Sequence, residues 1–254
     1  MSPVEISLIA FACIFGGAML GMFLRGFLPE HHLSADSRDV MKLGTGMIAT
    51  MASLVLGLLI GSAKGTFDTI SSGVRQSGSK IILLDRTLAR YGPETGHARD
   101  ILRQSVASAI EQLWPKGKGT IAVEKVGQAE GGLEDLIHEL RQLRPQSDDQ
   151  RRLQTRAVEI VGEIAEARWP LLERVGQGSF PMPLLVLLVC WLTIIFSCFG
   201  LIASRNRTVL VVLFVCALSA ASSLFLILEL DQPFGGLIKV SADPLRNALA
   251  HLGR

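Results

Sequence analysis

The sequence has few of the patterns that mark an enzyme or a redox protein. It contains no Gly-x-Ser-x-Gly, no P-loop, no His-Glu-x-x-His and no dinucleotide-binding glycine fingerprint after a strand. No Cys-x-x-Cys pair, the spacing of a metal or redox motif, occurs among its four cysteines, which are Cys13, Cys190, Cys198 and Cys216. We therefore expect the chain not to be an enzyme and to carry neither a cofactor nor a metal ion.

An excess of one charge is also missing. The chain has 25 Lys and Arg residues against 23 Asp and Glu residues, which gives a net charge of +2. The basic residues are spread along the chain, so there is no polybasic patch of the kind that binds nucleic acid. We expect no nucleic-acid partner.

Long apolar runs are what the sequence does have. Four runs without any charged residue cover positions 6–24, 43–63, 180–204 and 208–228. Each is long enough to cross about 30 Å of hydrocarbon as a helix rising 1.5 Å per residue. The first run follows an acidic residue, Glu5, and shows no small-residue cleavage pattern, so it is interpreted as a retained helix rather than a signal peptide. The sequence therefore predicts an all-α, multi-pass membrane protein whose partner is membrane lipid.

The polar residues between the second and third runs predict a separate helical domain. Seventeen basic and sixteen acidic residues fall between positions 64 and 179. Such dense, balanced charge is typical of helices with one solvated face. The predicted boundaries are residues 1–63 for transmembrane helices 1 and 2, 64–179 for the extramembrane domain, 180–230 for transmembrane helices 3 and 4, and 231–254 for a C-terminal tail.

Three amphipathic stretches support helices in this insert. Apolar residues recur there at three- and four-residue spacing: Ile101, Leu102, Val106, Ile110 and Leu113; Leu133, Leu136, Ile137, Leu140 and Leu143; Leu153, Ala157, Ile160, Val161 and Ile164. Ser147 precedes two aspartates and predicts the N-terminal cap of the last stretch. The same rhythm suggests that the helix starting at Leu43 continues past Lys64 towards Arg90, although Gly73 and Gly78 weaken this prediction.

The second membrane helix carries a stripe of small residues. On a helical wheel, one face collects Gly46, Thr50, Ser53, Gly57 and Gly61. Small residues at this spacing let another helix backbone approach closely, within the subunit or between subunits. They also leave room for water, so the same stripe is consistent with the lining of a pore. Helix packing and pore lining both stay open as interpretations. A helix that packs around an oligomer axis would do both.

Three charges are predicted on one membrane face. Lys64 follows the second run, and Glu229 and Asp231 end the fourth. At positions i and i+2 the two acids point to different sides of a helix, so we do not expect an acid/base dyad. They are interpreted either as an anchoring salt bridge or cap, with Lys64, Arg86 or Arg90 as partner, or as a charged ring at a pore mouth.

A family resemblance rests on the segments around these positions. The stretch LDQPFGGLIKVSADPLRNAL, with a turn at Pro233, Phe234 and Gly235, resembles the Asp-Pro-Phe-Gly segment of bestrophins. Over nearly its full length, the chain resembles bacterial bestrophin-like membrane proteins, on the segments GLLIGSAKGTFD, LLDRTLARYGPE and ELDQPFGG.

The resemblance implies a homo-oligomer, a pentameric ring, with an ion path along the second membrane helix. In two respects the chain departs from bestrophins. Its second membrane helix has no aromatic residue before Phe67, and only Asp243 is acidic after Asp231, so a bulky neck and a calcium clasp are not implied. The permeating ion is not predicted, nor is the side of the membrane on which the insert lies.

A second function is left open by the residues. The large amphipathic insert and the lack of catalytic motifs also fit a membrane-anchored helical scaffold or sensor that binds a protein partner, as stator subunits do, without conducting ions. A bacterial inner (cytoplasmic) membrane location is expected in either case.

Overall fold

The structure of the chain, a computed structural model, describes residues 2–27, 35–114, 128–176, 182–203 and 206–253. These residues form helices and no strand, which confirms the all-α prediction. The helices are α1 (Pro3–Leu24), α2 (Ala35–Tyr91), α3 (Gly96–Leu113), α4 (Gln128–Gln142), α5 (Asp148–Gly176), α6 (Met182–Ile202), α7 (Arg207–Leu230) and α8 (Asp243–His251). Of these, α1, α2, α6 and α7 are long and apolar enough to cross a membrane.

Internal contacts divide the chain into two compact units. The first unit comprises Met1–Gly65 and Phe180–Asp231, and therefore holds α1, α6, α7 and the first part of α2. The second unit comprises Thr66–Ser179 and Gln232–Arg254, and holds the rest of α2 together with α3, α4, α5 and α8. The C-terminal tail thus belongs to the same unit as the polar insert.

In the first unit, glycines bring α1 and α6 into close contact. A Cβ atom added at Gly17 would lie 2.9 Å from the carbonyl oxygen of Thr193. One added at Gly21 would overlap the carbonyl oxygen of Ser197, and one at Gly200 would overlap that of Ala18. Backbone therefore packs on backbone from both sides, which is the arrangement that small residues permit between membrane helices.

Helix α1 also contacts α7 and the end of α6. The rings of Phe11 and Phe15 pack edge-to-face on Phe214 of α7, with centroids 5.4 and 5.5 Å apart. Beyond α1, the Arg25 guanidinium donates hydrogen bonds to the carbonyl oxygens of Ile202, at 3.1 Å, and Ala203. A cation at this position satisfies carbonyls that a helix C-terminus leaves unpaired and favours the helix dipole. Hence α1 packs on both α6 and α7.

The second unit has one apolar core. Its most buried side chains are those that the sequence placed on the inner faces of the insert helices, among them Leu102, Leu136, Leu140, Ala157 and Ile160. The predicted cap is also present, since the Ser147 hydroxyl accepts a hydrogen bond from the Gln150 amide at 3.2 Å. The Gln154 side chain donates to the carbonyls of Leu140 and Leu143 and so caps the end of α4.

Helix α2 continues without a break from Ala35 to Tyr91, as the apolar rhythm past Lys64 predicted, but it begins eight residues before Leu43. Gly78, which weakened the prediction, has a packing reason. A Cβ atom there would lie 2.8 Å from the carbonyl oxygen of Pro244, at the start of α8. The helix ends at Tyr91 and is followed by Gly92, whose φ of 139° is a backbone conformation that glycine adopts readily.

We predict that Gly21→Leu destabilises the protein by roughly 1–3 kcal/mol or prevents its folding, because the new side chain must push α6 away from α1. Gly16→Leu is the matched control on the same helix, since nothing lies within 4 Å of a Cβ atom at Gly16. The measurement is the thermal unfolding midpoint of both variants in mild detergent. Equal midpoints would contradict the close packing of α1 on α6.

Candidate functional site

The small-residue stripe of α2 is exposed along its length. All five predicted residues, Gly46, Thr50, Ser53, Gly57 and Gly61, are exposed in the chain. A Cβ atom built on any of the three glycines meets no atom within 4 Å. The Thr50 hydroxyl donates to the Gly46 carbonyl at 2.9 Å and is satisfied inside the helix. Among the residues that the structure describes, packing within the subunit therefore does not account for the stripe.

The opposite face of α2 is the one that the chain buries. Ala52 and Leu59 are 3 % and 6 % exposed. Beside the stripe lies a third face of large apolar residues, which are exposed: Met47, Met51, Leu54 and Leu58. The membrane-length part of α2 therefore has one buried face, one face suited to lipid and one face of small and polar groups.

The predicted charges differ in their surroundings. Lys64 is exposed, and because it lies two helical turns after Gly57 it shares the face of the stripe. Glu229, in the last turn of α7, is only 3 % exposed. Asp231 follows α7 and donates its amide to the Ile227 carbonyl at 3.2 Å. Burial raises the pKa of the Asp231 carboxyl from 3.8 to about 6.

The Pro-Phe-Gly turn fixes the tail to the core of the second unit. Phe234 is 4 % exposed and packs edge-to-face on Trp114, with ring centroids 5.2 Å apart. The Trp114 indole nitrogen donates to the Val240 carbonyl at 2.8 Å, and the Val240 amide donates to the Pro233 carbonyl at 2.8 Å. The turn is therefore a closed loop, 233–240, held by one aromatic pair and two hydrogen bonds. A Cβ atom at Gly235 would meet only the Gln232 side-chain oxygen at 4.0 Å, so space within the chain does not require glycine there.

An ion pair between buried Asp85 and partly exposed Arg99 lies at the other end of the tail. Asp85 of α2 accepts two hydrogen bonds from Arg99 of α3, at 2.7 and 3.1 Å. The Gly253 amide, beyond α8, lies 3.5 Å from the same carboxylate. The hydrogen bond to Asp85 holds the pKa of Arg99 above its usual value. Asp85 thus joins α2, α3 and the C-terminal end of the tail.

Comparison with known families identifies the family of the chain. A model of the bestrophin-like domain matches residues 12–245. The chain belongs to the bestrophin-like family. Among curated proteins, none matches the chain.

Solved structures share the bestrophin-like fold. A crystal structure of a point mutant of a bacterial bestrophin homolog from Klebsiella pneumoniae has a TM-score of 0.68 at 15 % identity, covering 98 % of this chain and 99 % of that one. A second mutant of that homolog has a TM-score of 0.63 at 15 % identity, covering 97 % and 99 %. A crystal structure described as a membrane protein has a TM-score of 0.65 at 14 % identity, covering 96 % of each chain. Together with the apolar helices, the family membership identifies a membrane protein.

In this bestrophin-like chain, the predicted site residues fall into two groups. The α2 stripe, Lys64, Glu229 and Asp231 belong to the first unit, whereas the turn at Pro233–Gly235 belongs to the second. The described part of the chain contains no group of three or more His, Cys, Asp or Glu residues able to hold a metal ion.

Asp85, Arg99 and Trp114 anchor the bestrophin-like tail. The sequence analysis singled out neither Asp85 nor Arg99, although Asp85 lies in one of the segments that carried the family resemblance. The position of Trp114 near a helix end of the insert predicts a core or interface residue, but not its partner Val240, because that contact spans 126 residues and leaves no periodic pattern. The close glycines of α1 were also missed, although Gly17 and Gly21 form a Gly-x-x-x-Gly pattern.

We predict that Phe234→Ala costs about 3–5 kcal/mol of stability in the second unit and opens the 233–240 loop. Hydrogen–deuterium exchange at the Val240 amide measures the opening, because that amide is bonded to Pro233 in the closed loop. Leu237→Ala is the matched control in the same loop, since Leu237 is 81 % exposed and its loss should change stability by about 0.5 kcal/mol or less. Equal exchange rates in the two variants would contradict the anchoring role of Phe234.

A pH dependence follows from Asp231. Its pKa of about 6 exceeds 3.8, so between these values the folded chain holds a proton that the unfolded chain releases. This group therefore stabilises the fold at low pH, and its contribution is lost as the pH rises through about 6. The measurement is the free energy of unfolding, by chemical denaturation, of the native protein and of Asp231→Asn at about pH 4.5 and about pH 7.5, on either side of the folded pKa. The value for the native protein should rise relative to that of the variant as the pH falls. Parallel pH profiles would show that Asp231 is not desolvated.

Proposed function

We propose that the chain assembles into a homo-oligomeric ring, with a pentamer as the expected stoichiometry, and that the ring is an ion channel or pore in the bacterial inner (cytoplasmic) membrane. The ion path runs along α2. The proposal rests on the bestrophin-like family membership and fold, and on the exposed small-residue face of α2.

In this proposal α1, the first part of α2, α6 and α7 cross the membrane. α1 has 22 residues, α6 has 21 and α7 has 24. At 1.5 Å per residue, helices of this length span about 30 Å of hydrocarbon. The helical domain between the second and third spans then lies outside the bilayer, and the 231–254 tail lies with it.

The exposed face of α2 is the observation that carries the proposal. A face of glycine, serine and threonine gains little from lipid, whereas it suits close approach of another helix or contact with water. In a ring, α2 of each copy turns this face towards the axis or the neighbouring copy. The face of Met47, Met51, Leu54 and Leu58 then meets lipid or the flank of the neighbouring copy.

Charge at one mouth completes the proposed path. Lys64 lies on the stripe's own face, just past its last glycine. A ring of copies repeats this charge around the axis, together with Glu229 and Asp231 at the end of α7. Rings of charged side chains set ion selectivity in many pores. In this chain, the balance between the positive charge of Lys64 and the negative charges of Glu229 and Asp231 determines which ions pass.

Ion flux in liposomes tests the function. Purified protein reconstituted at known density should dissipate an imposed salt gradient faster than protein-free liposomes, and exchanging the cation and the anion in turn identifies the permeating ion. Absence of flux under every gradient, with a protein partner recovered by co-purification, would instead favour the membrane-anchored scaffold.

Variants of the stripe sharpen this test. Gly57→Leu and Gly61→Leu should reduce flux or disrupt assembly by roughly tenfold or more, because each places a bulky side chain in the path or the contact between copies. Gly44→Leu is the matched control, since Gly44 is equally free of neighbours but lies about 140° away from Gly57 around the helix. Flux per copy and oligomer mass in detergent are the readouts. A Gly44→Leu defect as large as that of Gly57→Leu would remove the support that the stripe gives.

A further inference from the structure

The tip of the 233–240 loop exposes apolar side chains. Leu237 is 81 % exposed and Ile238 is 39 % exposed. Among the described residues of the second unit, the other exposed large apolar side chain is that of Leu83. In the first unit, by contrast, large apolar side chains are exposed along each helix that is long and apolar enough to cross a membrane. The tip, residues 235–239, therefore has the surface chemistry of the first unit although it belongs to the second.

Both ends of the loop are fixed in the core of the second unit. Phe234 and Val240 are 4 % and 3 % exposed. The Val240 amide donates to the Pro233 carbonyl, and the Val240 carbonyl accepts from the Trp114 indole nitrogen. The loop is thus ordered before its tip contacts anything, which lowers the entropy that a contact at the tip would cost.

The covalent chain limits the distance between the tip and the end of α7. With 24 residues, α7 is about 36 Å long and exceeds the roughly 30 Å of hydrocarbon. In the proposed function it crosses the membrane, so its last residue, Leu230, lies in the layer of lipid headgroups. Pro233 comes three residues after Leu230, and Leu237 comes three residues before Val240, so each of these two separations is about 10 Å at most. The tip is therefore linked within reach of the headgroup layer.

The other residues of the tip suit a lipid surface. Lys239 is exposed, and among the described residues it forms no salt bridge. A lysine beside apolar residues can lie along the interface and hold its charge at the lipid phosphates. Gly235 and Gly236 carry no side chain and keep the tip narrow, and no residue between Pro233 and Val240 is acidic.

We propose that the loop tip is an interfacial anchor that inserts into the lipid headgroup layer. Leu237 and Ile238 insert their side chains, which removes apolar surface from water, and Lys239 binds lipid phosphates. The second unit then has its own contact with the bilayer, besides the chain connections to the membrane helices. The inference uses the part of the proposed function in which α7 crosses the membrane, and it does not depend on ion conduction.

Spin labels on single cysteines test the anchor in the full-length protein, with the four native cysteines replaced by alanine. The protein is reconstituted in vesicles of phosphatidylcholine and phosphatidylglycerol. Depth is obtained from the relaxation of each label by oxygen, which concentrates in lipid, and by a water-soluble nickel chelate. Labels at Leu237→Cys and Ile238→Cys should lie roughly 5–10 Å below the membrane surface. A label at Arg90→Cys, exposed near the end of α2, is the water reference, and one at Leu218→Cys, 48 % exposed in the middle of α7, is the lipid reference.

Three results would contradict the anchor. Tip labels as accessible to the nickel chelate as the Arg90 label would overturn it. Tip labels shielded from both oxygen and the chelate would show that a second copy of the chain, rather than lipid, covers the tip, and would also overturn it. A water-like label at Leu218 would show that α7 does not cross the membrane, and would remove the proposed function together with the anchor.

Variants of the tip separate insertion from mere proximity to the membrane. Ile238→Asp should bring the Leu237 label to the water-like value of the Arg90 label, because burying a carboxylate is costly. Asn247→Asp, at an exposed position of α8, adds the same charge to the same unit and should leave the depth unchanged. Lys239→Gln should reduce the depth in vesicles that contain phosphatidylglycerol more than in pure phosphatidylcholine. An unchanged depth in Ile238→Asp, or an equal loss in Asn247→Asp, would contradict insertion of the apolar pair, and an equal effect of Lys239→Gln in both lipids would contradict the phosphate contact.

Discussion

Helix α2 buries one face inside the subunit and leaves a face of glycine, serine and threonine with no atom against it. That uncovered face is the constraint on which the functional account depends. Glycines are poor choices for a helix surface that meets only lipid, because they provide no apolar side chain and cost helix stability. The glycines between α1 and α6 show the alternative use of small residues in the same chain, since there each one meets the backbone of the facing helix. The glycines of α2 meet no such neighbour in the described part of the subunit, which is why the proposed function places a second copy or water against them.

The tail has a different role, which its motif alone did not reveal. In the sequence, the Pro-Phe-Gly turn was one of the segments that carried the resemblance to bestrophins. In the structure, its phenylalanine is a core residue of the second unit, and the loop that it begins is closed on Trp114. At the other end, the Gly253 amide approaches the Asp85–Arg99 pair, and Pro244 packs on Gly78. The segment after Asp231 is therefore part of the helical domain rather than a loose extension.

Much of the helical fold could be predicted because it depends on local patterns. The charge-free runs are stretches of consecutive residues. The buried faces of α3, α4 and α5 and the cap at Ser147 depend on residues three or four apart. The direction of the small-residue face of α2 could also be found on a helical wheel. Whether the subunit covers that face could not be predicted, because coverage depends on where α1, α6 and α7 pack. The anchors of the tail were beyond prediction for a similar reason. Trp114 and Val240 are 126 residues apart, and a hydrogen bond between an indole and a carbonyl leaves no periodic signature. What could be read from the sequence in that region was the family likeness of the segments around Asp85 and Pro233.

The most direct test of the central claim is the accessibility of α2 to water in the assembled protein. Single cysteines are introduced at Ser53 and Gly57 on the small-residue face, and at Met51 and Leu58 on the apolar face, in a protein whose four native cysteines are replaced by alanine. A charged, membrane-impermeant thiol reagent is then applied to the reconstituted protein. The account predicts that the reagent modifies Ser53→Cys and Gly57→Cys and blocks flux, while Met51→Cys and Leu58→Cys stay unmodified. Modification of the apolar face alone, or of neither face in a conducting protein, would contradict an ion path along α2.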